Sequence, residues 1–160
     1  MKLLGNQIYL KFLQESHIAD YLDLFSPRVQ EILGVSSRFS EQQYIQEQCR
    51  KQKAEETFFF CIFEKSTDLL IGSLEIRANH HRGQLCTWIH ENYWGKGYFK
   101  EAFALAKEYY FKKRPQETNI TARVDRSNQR SYQALMAVGC TVLGMSRGPR
   151  EDQYEFVCGI

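Results

Sequence analysis

Trp88-Ile89-His90-Glu91-Asn92-Tyr93-Trp94-Gly95-Lys96-Gly97-Tyr98 is the stretch on which the reading of the fold turns. It joins a strand-like run, Leu85 to His90, to a helix-like run, Lys100 to Lys113. A glycine-bearing turn that enters a helix leaves backbone N–H groups unpaired at the positive end of the helix dipole. Such a turn suits a phosphate or pyrophosphate. The same Gly-x-Gly pattern also serves as a plain strand-to-helix connection, so the turn alone does not choose between the two.

The flanking elements are well patterned. Downstream, Phe99, Ala102, Phe103, Ala106 and Tyr110 make one apolar stripe, with Lys100, Glu101, Lys107 and Glu108 outside it. Lys112, Lys113 and Arg114 favour the negative C-terminal end, and Pro115 stops the helix. Asn119 to Val124 reads as a strand. Ser127 or Asn128 can then cap a helix striped by Ser131, Ala134, Leu135 and Val138 and closed by Gly139. Two last strands, Thr141 to Ser146 and Gln153 to Cys158, flank a Gly148-Pro149 turn.

Upstream, three strands lead into the turn. Thr57 to Phe63 is almost wholly apolar, as a strand covered on both faces should be. Leu70 to Ile76 puts Leu74 and Ile76 on one face and Ser73, Glu75 and Arg77 on the other. Asn79 to Gly83 turns the chain into Leu85 to His90. Before these lie a strand at Ile8 to Leu13 and a helix capped by Ser16 with Ile18, Ala19, Leu22 and Phe25. Pro27 interrupts that helix. A short segment with Val29, Ile32 and Leu33 follows, ended by Gly34, and Ser40 opens a more polar helix through Tyr44, Ile45 and Gln48. The pattern predicts one mixed α/β domain over residues 1–160, with about seven strands and about four helices.

Composition narrows the function. Lys plus Arg number 21 against 19 for Asp plus Glu, a formal charge of +2, too small to call for nucleic acid or an anionic membrane. No apolar run reaches membrane-span length, and Met1 to Asn6 lacks a signal peptide's apolar stretch, so a cytoplasmic location is expected. The five cysteines, Cys49, Cys61, Cys86, Cys140 and Cys158, are odd in number and lack a Cys-x-x-Cys pair; buried reduced thiols are expected. His80, His81, Cys86 and His90 lack a zinc spacing, so no metal is expected. Gly95-Lys96-Gly97 also lacks the Gly-Lys-Ser/Thr ending of a P-loop nucleotide hydrolase.

Two motifs in fixed order resemble the GNAT N-acetyltransferase superfamily, and more narrowly its branch of ribosomal-protein alanine and serine N-acetyltransferases. The segment Trp88 to Tyr98 followed by Glu101-Ala102 is similar to that branch's version of the loop that holds the acetyl-CoA pyrophosphate. Asn128-Gln129-Arg130-Ser131 with Gly139 is similar to its second motif, and the opening strand and helix also resemble the family. Departures exist. Trp94 stands where the superfamily at large has Gln or Arg, Phe99 replaces a small residue, and Cys140 replaces a frequent Phe. Leu135 replaces a tyrosine that in many members protonates the departing thiolate.

The resemblance implies a mixed-sheet acyl-CoA N-acyltransferase fold whose two central strands splay apart beside the cofactor. Coenzyme contacts are then implied for Trp88, Ile89, His90, Trp94, Gly95, Lys96, Gly97, Tyr98, Phe99, Lys100, Asn128 and Ser131. Backbone N–H groups near Trp88 to His90 would polarise the thioester carbonyl. Three candidates can take the amine proton: Glu75 on the polar face of its strand, His90 as an imidazole suited to neutral pH, and Glu151 in the last turn. Glu75 can equally be a carboxylate paired with Arg77, and His90 a solvent-facing strand-end residue. Ser131 is the implied acid, and it and Asn128 can also be no more than first-turn capping groups. The implied reaction is acetyl transfer from acetyl-CoA to a primary amine, with a protein N-terminal α-amine as the leading acceptor and a polyamine or antibiotic as the small-molecule alternative. A non-catalytic acyl-CoA-binding protein is the other class. No nucleic-acid or membrane partner is expected, and either a monomer or a homodimer is compatible.

Overall fold

The computed structural model describes residues 1–33, 37–79 and 82–159. In chain order the elements are β1 (Lys2–Leu4), β2 (Ile8–Phe12), α1 (Ile18–Asp23), α2 (Pro27–Leu33), α3 (Arg38–Lys53), β3 (Thr57–Glu64), β4 (Leu69–Asn79), β5 (Arg82–Ile89), α4 (Tyr98–Lys113), β6 (Asn119–Asp125), α5 (Gln129–Ala137), β7 (Thr141–Arg147) and β8 (Asp152–Gly159). The strands form one sheet in the order β1-β2-β3-β4-β5-β6-β8-β7. All neighbours are antiparallel except β5 and β6, which run parallel with α4 as their crossover.

Strand period sorts the core into two layers. Phe58, Phe60, Leu74, Ile76 and Leu85 point to the α4 side, where Ala102, Phe103, Ala106 and Tyr110 are buried against them. Phe59, Cys61, Phe63 and Trp88 point to the other side, among Tyr21, Leu22, Ile45 and Cys49 from α1 and α3. Every residue of β3 is buried, as its continuous apolar run predicts. Phe99, at the edge of the α4 stripe, is partly buried and stacks on Phe103 at 5.7 Å.

The described residues contain eight strands and five α-helices, one more of each than the pattern predicts. The extra strand is β1, three residues paired with the end of β2, too short to show a period. The extra helix is α2, in which Pro27 opens a helix instead of merely ending one; a ring with no N–H costs nothing at a first helical position. The thiols also differ from expectation. Cys140 and Cys158 form a disulfide, because the pairing of Thr141 with Val157 places their neighbours opposite each other at a Cα separation of 4.4 Å. Cys49, Cys61 and Cys86 are free, and Cys86 is exposed. Gly34 and the His80-His81 tip of the β4–β5 turn lie outside the described residues.

Two local features shape the centre of the sheet. Pairing of β3 with β4 slips by one residue between Ile62 opposite Gly72 and Phe63 opposite Leu70, so Ile71 is an extra, bulged residue. Its carbonyl accepts the His90 amide at 2.9 Å, drawing the end of β5 onto β4. A side chain at Gly72 would meet the Trp88 carbonyl oxygen at 2.3 Å, so only glycine permits this approach. On its other edge β5 pairs with β6 only from Gly83 opposite Ile120 to Leu85 opposite Ala122. Beyond that point the two strands separate.

Candidate active site

The separation opens a cavity of about 540 Å³ between Cys86–Ile89 on β5 and Ala122–Asp125 on β6, walled by the starts of α4 and α5. Hydrogen-bond alternation decides what the strand offers to it. Since His90 donates to Ile71, Trp88 and Cys86 share its direction toward β4, whereas the amides of Thr87 and Ile89 face the gap. The Ile89 carbonyl on that edge accepts the Trp94 indole N–H at 2.7 Å.

The start of α4 is the second component. Gly97 is its N-cap in the left-handed region at φ +77°, with no side-chain cap, and Gly95 also has φ +77°. The first intrahelical bond is Glu101 N–H to the Gly97 carbonyl at 3.3 Å, so the amides of Tyr98, Phe99 and Lys100 have no acceptor within the helix. Gly95, Gly97, Tyr98, Phe99 and Lys100 all line the cavity. The Glu101 carboxylate is committed elsewhere, accepting the Gln7 amide at 2.9 Å and the Ile8 amide at 3.3 Å. Lys96 lies over the rings of Tyr93 and Tyr98, at 5.6 and 5.9 Å from their centroids.

The third component is the start of α5. The Asn128 side chain accepts the Ser131 amide at 3.2 Å, capping the helix, and both residues line the cavity. Trp94 links this end to β5, because the Arg130 guanidinium lies 3.6 Å from its ring centroid. Leu135, 4% exposed, also lines the cavity and carries no proton to give.

The candidate bases occupy different surroundings. Glu75 is 2% exposed; Tyr44 donates to one oxygen at 2.5 Å, Thr57 to the other at 2.7 Å, and Arg77 Nε lies 3.4 Å away. It does not itself line the cavity, but Cys86, its cross-strand neighbour, does. His90 accepts the Asn92 amide through Nδ1 at 3.2 Å, with Nε2 3.6 Å from Glu91, which makes it the cap of a one-turn helix, Glu91–Tyr93. Its amide belongs to the β4 ladder. Glu151 accepts the Ser127 amide at 2.5 Å, outside the cavity lining.

Sequence reasoning passed over a second buried carboxylate. Trp88, which lines the cavity, donates its indole N–H to the Tyr21 hydroxyl at 2.9 Å, and Tyr21 donates to Glu41 at 3.2 Å. Burial raises the Glu41 pKa above the usual carboxylate range; the Tyr21 hydrogen bond opposes that rise and the nearby Glu75 charge adds to it. The available signal was Glu41 and Tyr44, three apart on α3, sharing the face that carries Ile45 and Gln48. Two carboxylates, two tyrosines and an exposed thiol thus stand behind β5, on the side away from α4. This polar cluster and the start of α4 lie on opposite sides of the sheet beside the gap. Among the described residues no group of three or more His, Cys, Asp or Glu could hold a metal ion. Among the same residues no helix is long and apolar enough to cross a membrane.

A model of the acetyltransferase (GNAT) domain matches residues 7–141. The chain belongs to the acetyltransferase (GNAT) domain family. This acetyltransferase superposes on ribosomal-protein-S5-alanine acetyltransferase from Vibrio fischeri with a TM-score of 0.81 and 17% identity, over 99% of this chain and 96% of that one. It superposes on RimL, the ribosomal L7/L12 α-N-protein acetyltransferase solved with coenzyme A, with a TM-score of 0.82 and 15% identity, over 100% and 98% of the two chains. The microcin C7 self-immunity acetyltransferase MccE, solved with acetyl-CoA and AMP, gives 0.80 and 14% over 98% and 94%. At these identities the likeness is one of fold. No protein of curated function matches the chain.

Proposed function

We propose that this acetyltransferase, acting as one unit over residues 1–160, moves the acetyl group of acetyl-CoA to a protein N-terminal α-amine in the cytoplasm, as a monomer or homodimer. The observation that carries the reading is the uncapped start of α4 opening onto the β5–β6 gap. Amides of Tyr98, Phe99 and Lys100 receive the pyrophosphate, with Gly95 and Gly97 providing close approach and Lys96 adjacent charge. Trp94 and Asn128 flank the pantetheine arm. The Ile89 amide polarises the thioester carbonyl, with Trp88 and His90 holding that strand end in place.

The attacking amine loses its proton toward the carboxylates behind β5. Glu75 is the first of them, held by Tyr44, Thr57 and Arg77; Glu41 is the second, reached through the Tyr21 hydroxyl, which takes up a proton at its oxygen as it passes its own to Glu41 and is oriented by the Trp88 indole N–H. His90 and Glu151 are alternative proton acceptors, each first having to leave its capping role. Ser131, in the first turn of α5 and on the cavity wall, supplies the proton for the leaving sulfur. The names of the ribosomal-protein acetyltransferases that share the fold support the N-terminal acceptor. A small-molecule amine is the second reading, supported by the AMP bound in MccE.

A thiol-release assay over N-terminal peptides and small amines tests the reaction. Glu75→Gln, Glu41→Gln, His90→Ala and Ser131→Ala are then compared on the best acceptor. Loss of a general acid or base is expected to lower kcat about 100-fold with little change in the KM for acetyl-CoA. Coenzyme binding without turnover on any amine would leave an acyl-CoA-binding protein instead.

A further inference from the structure

A second recess of about 620 Å³ adjoins the cavity and shares Trp94, Asp125, Asn128, Arg130 and Arg150 with it. Its outer wall is Arg28 and Glu31 of α2 and its inner wall Trp94 and the start of α5, so it lies at the mouth of the cavity, between the two helix layers. Three arginines face one another across it.

Their commitments differ. Arg150 is anchored, ion-paired with Asp125 and donating to the Glu31 carbonyl at 2.6 Å. Asp125 is further held by the Gln153 side-chain amide at 2.8 Å. Arg28 and Arg130 lean on the same Trp94 ring, at 5.3 and 3.6 Å from its centroid, and among the described residues neither makes an ion pair. Stacking on an indole fixes a guanidinium plane while leaving its N–H fork open to a carboxylate or phosphate. Crowding is felt between the two cations: partial burial and then the charge of Arg28 lower the Arg130 pKa. An anion placed between them relieves that repulsion and pairs both forks. On the acetyl-transfer reading the cofactor's pyrophosphate takes the amides of Tyr98, Phe99 and Lys100 at the start of α4, none of which lines this recess.

We propose that this recess reads the acceptor: it binds acidic side chains within the first few residues after the acceptor amine, so the enzyme selects protein N-termini followed by Asp or Glu. The inference rests on the acetyl-transfer reading above, and the experiment separates the two. Hexapeptides with identical first residues and either Glu-Glu, Gln-Gln or Lys-Lys at the next positions are assayed by thiol release. The same peptides are titrated against the coenzyme A-loaded protein by tryptophan fluorescence. The wild type should favour Glu-Glu over Gln-Gln by about tenfold or more in both readouts at low salt, and the preference should shrink as salt screens it. Arg28→Ala and Arg130→Ala should each cut the preference to about threefold or less, and Arg28→Ala should leave the KM for acetyl-CoA in place.

Turnover with no charge preference overturns the recess and spares the chemistry. Preferential binding of Glu-Glu without turnover does the reverse. If Arg28→Ala raises the KM for acetyl-CoA or 3′-dephospho-acetyl-CoA and leaves peptide preference intact, the arginines serve the cofactor and the proposal fails.

Discussion

The starts of α4 and α5 stand on opposite walls of one cavity, yet they are finished differently. At α5 the Asn128 side chain occupies the Ser131 amide, so the helix satisfies one of its own donors. At α4 the N-cap is a glycine in the left-handed region, with no side chain to offer. The start of α3, away from the cavity, follows the α5 pattern: Ser37 accepts the Ser40 amide at 3.1 Å. Leaving donors unpaired costs stability, which is tolerable where a ligand completes them. The bare end is the one built for an anion.

The comparison breaks most visibly if α4 is given a charge of its own. Gly97→Asp sets a carboxylate before the open amides and forces an L-residue into φ +77°. Coenzyme affinity measured by calorimetry should fall about 100-fold, or ~2.7 kcal/mol. The strained conformation should cost a further ~1–2 kcal/mol in denaturant unfolding. An undiminished affinity would show that the pyrophosphate is held elsewhere.

Removing the cap at the other start should have a smaller and different effect. Asn128→Ala should cost ~1 kcal/mol of stability and lower Tm by about 2–4 °C. Any loss of coenzyme affinity should stay well below that of Gly97→Asp. Equal losses would mean that the two ends do the same work.

The smallest effect concerns pH and the layer behind the sheet. The folded state holds the Glu41 proton to higher pH than the unfolded chain does. Its contribution to stability is therefore complete below the usual carboxylate range and is lost as pH rises through the elevated value. Thermal melts of Glu41→Gln and wild type should thus diverge in the variant's favour between acid and neutral pH. Parallel Tm curves would show that the Glu41 pKa is not raised in the folded state.

Local pattern made much of this legible. β3, the α4 stripe and the glycine turn were visible because each is written in contiguous residues, and Asn128 showed as a cap for the same reason. What escaped depends on distant pairing. Tyr21, Glu41 and Trp88 meet across 67 positions of chain, and no spacing rule joins them. Arg28 and Arg130 converge on Trp94 only after three elements have packed. The union of Cys140 with Cys158 follows from strand register, which the composition cannot reveal. His90 read as a strand end and stands as a cap, because a histidine nitrogen can finish a turn as readily as it can exchange a proton.

The bulge at Ile71 and the bare Cα of Gly72 have a consequence for how this enzyme could change. They tie the tip of β5 to one neighbour and so release it from the other. The aperture is thus set by main-chain contour, and the side chains around it only furnish the room. Repainting those walls can redirect the choice of amine while the doorway keeps its width. One methyl group on Gly72 would push the jamb across the opening.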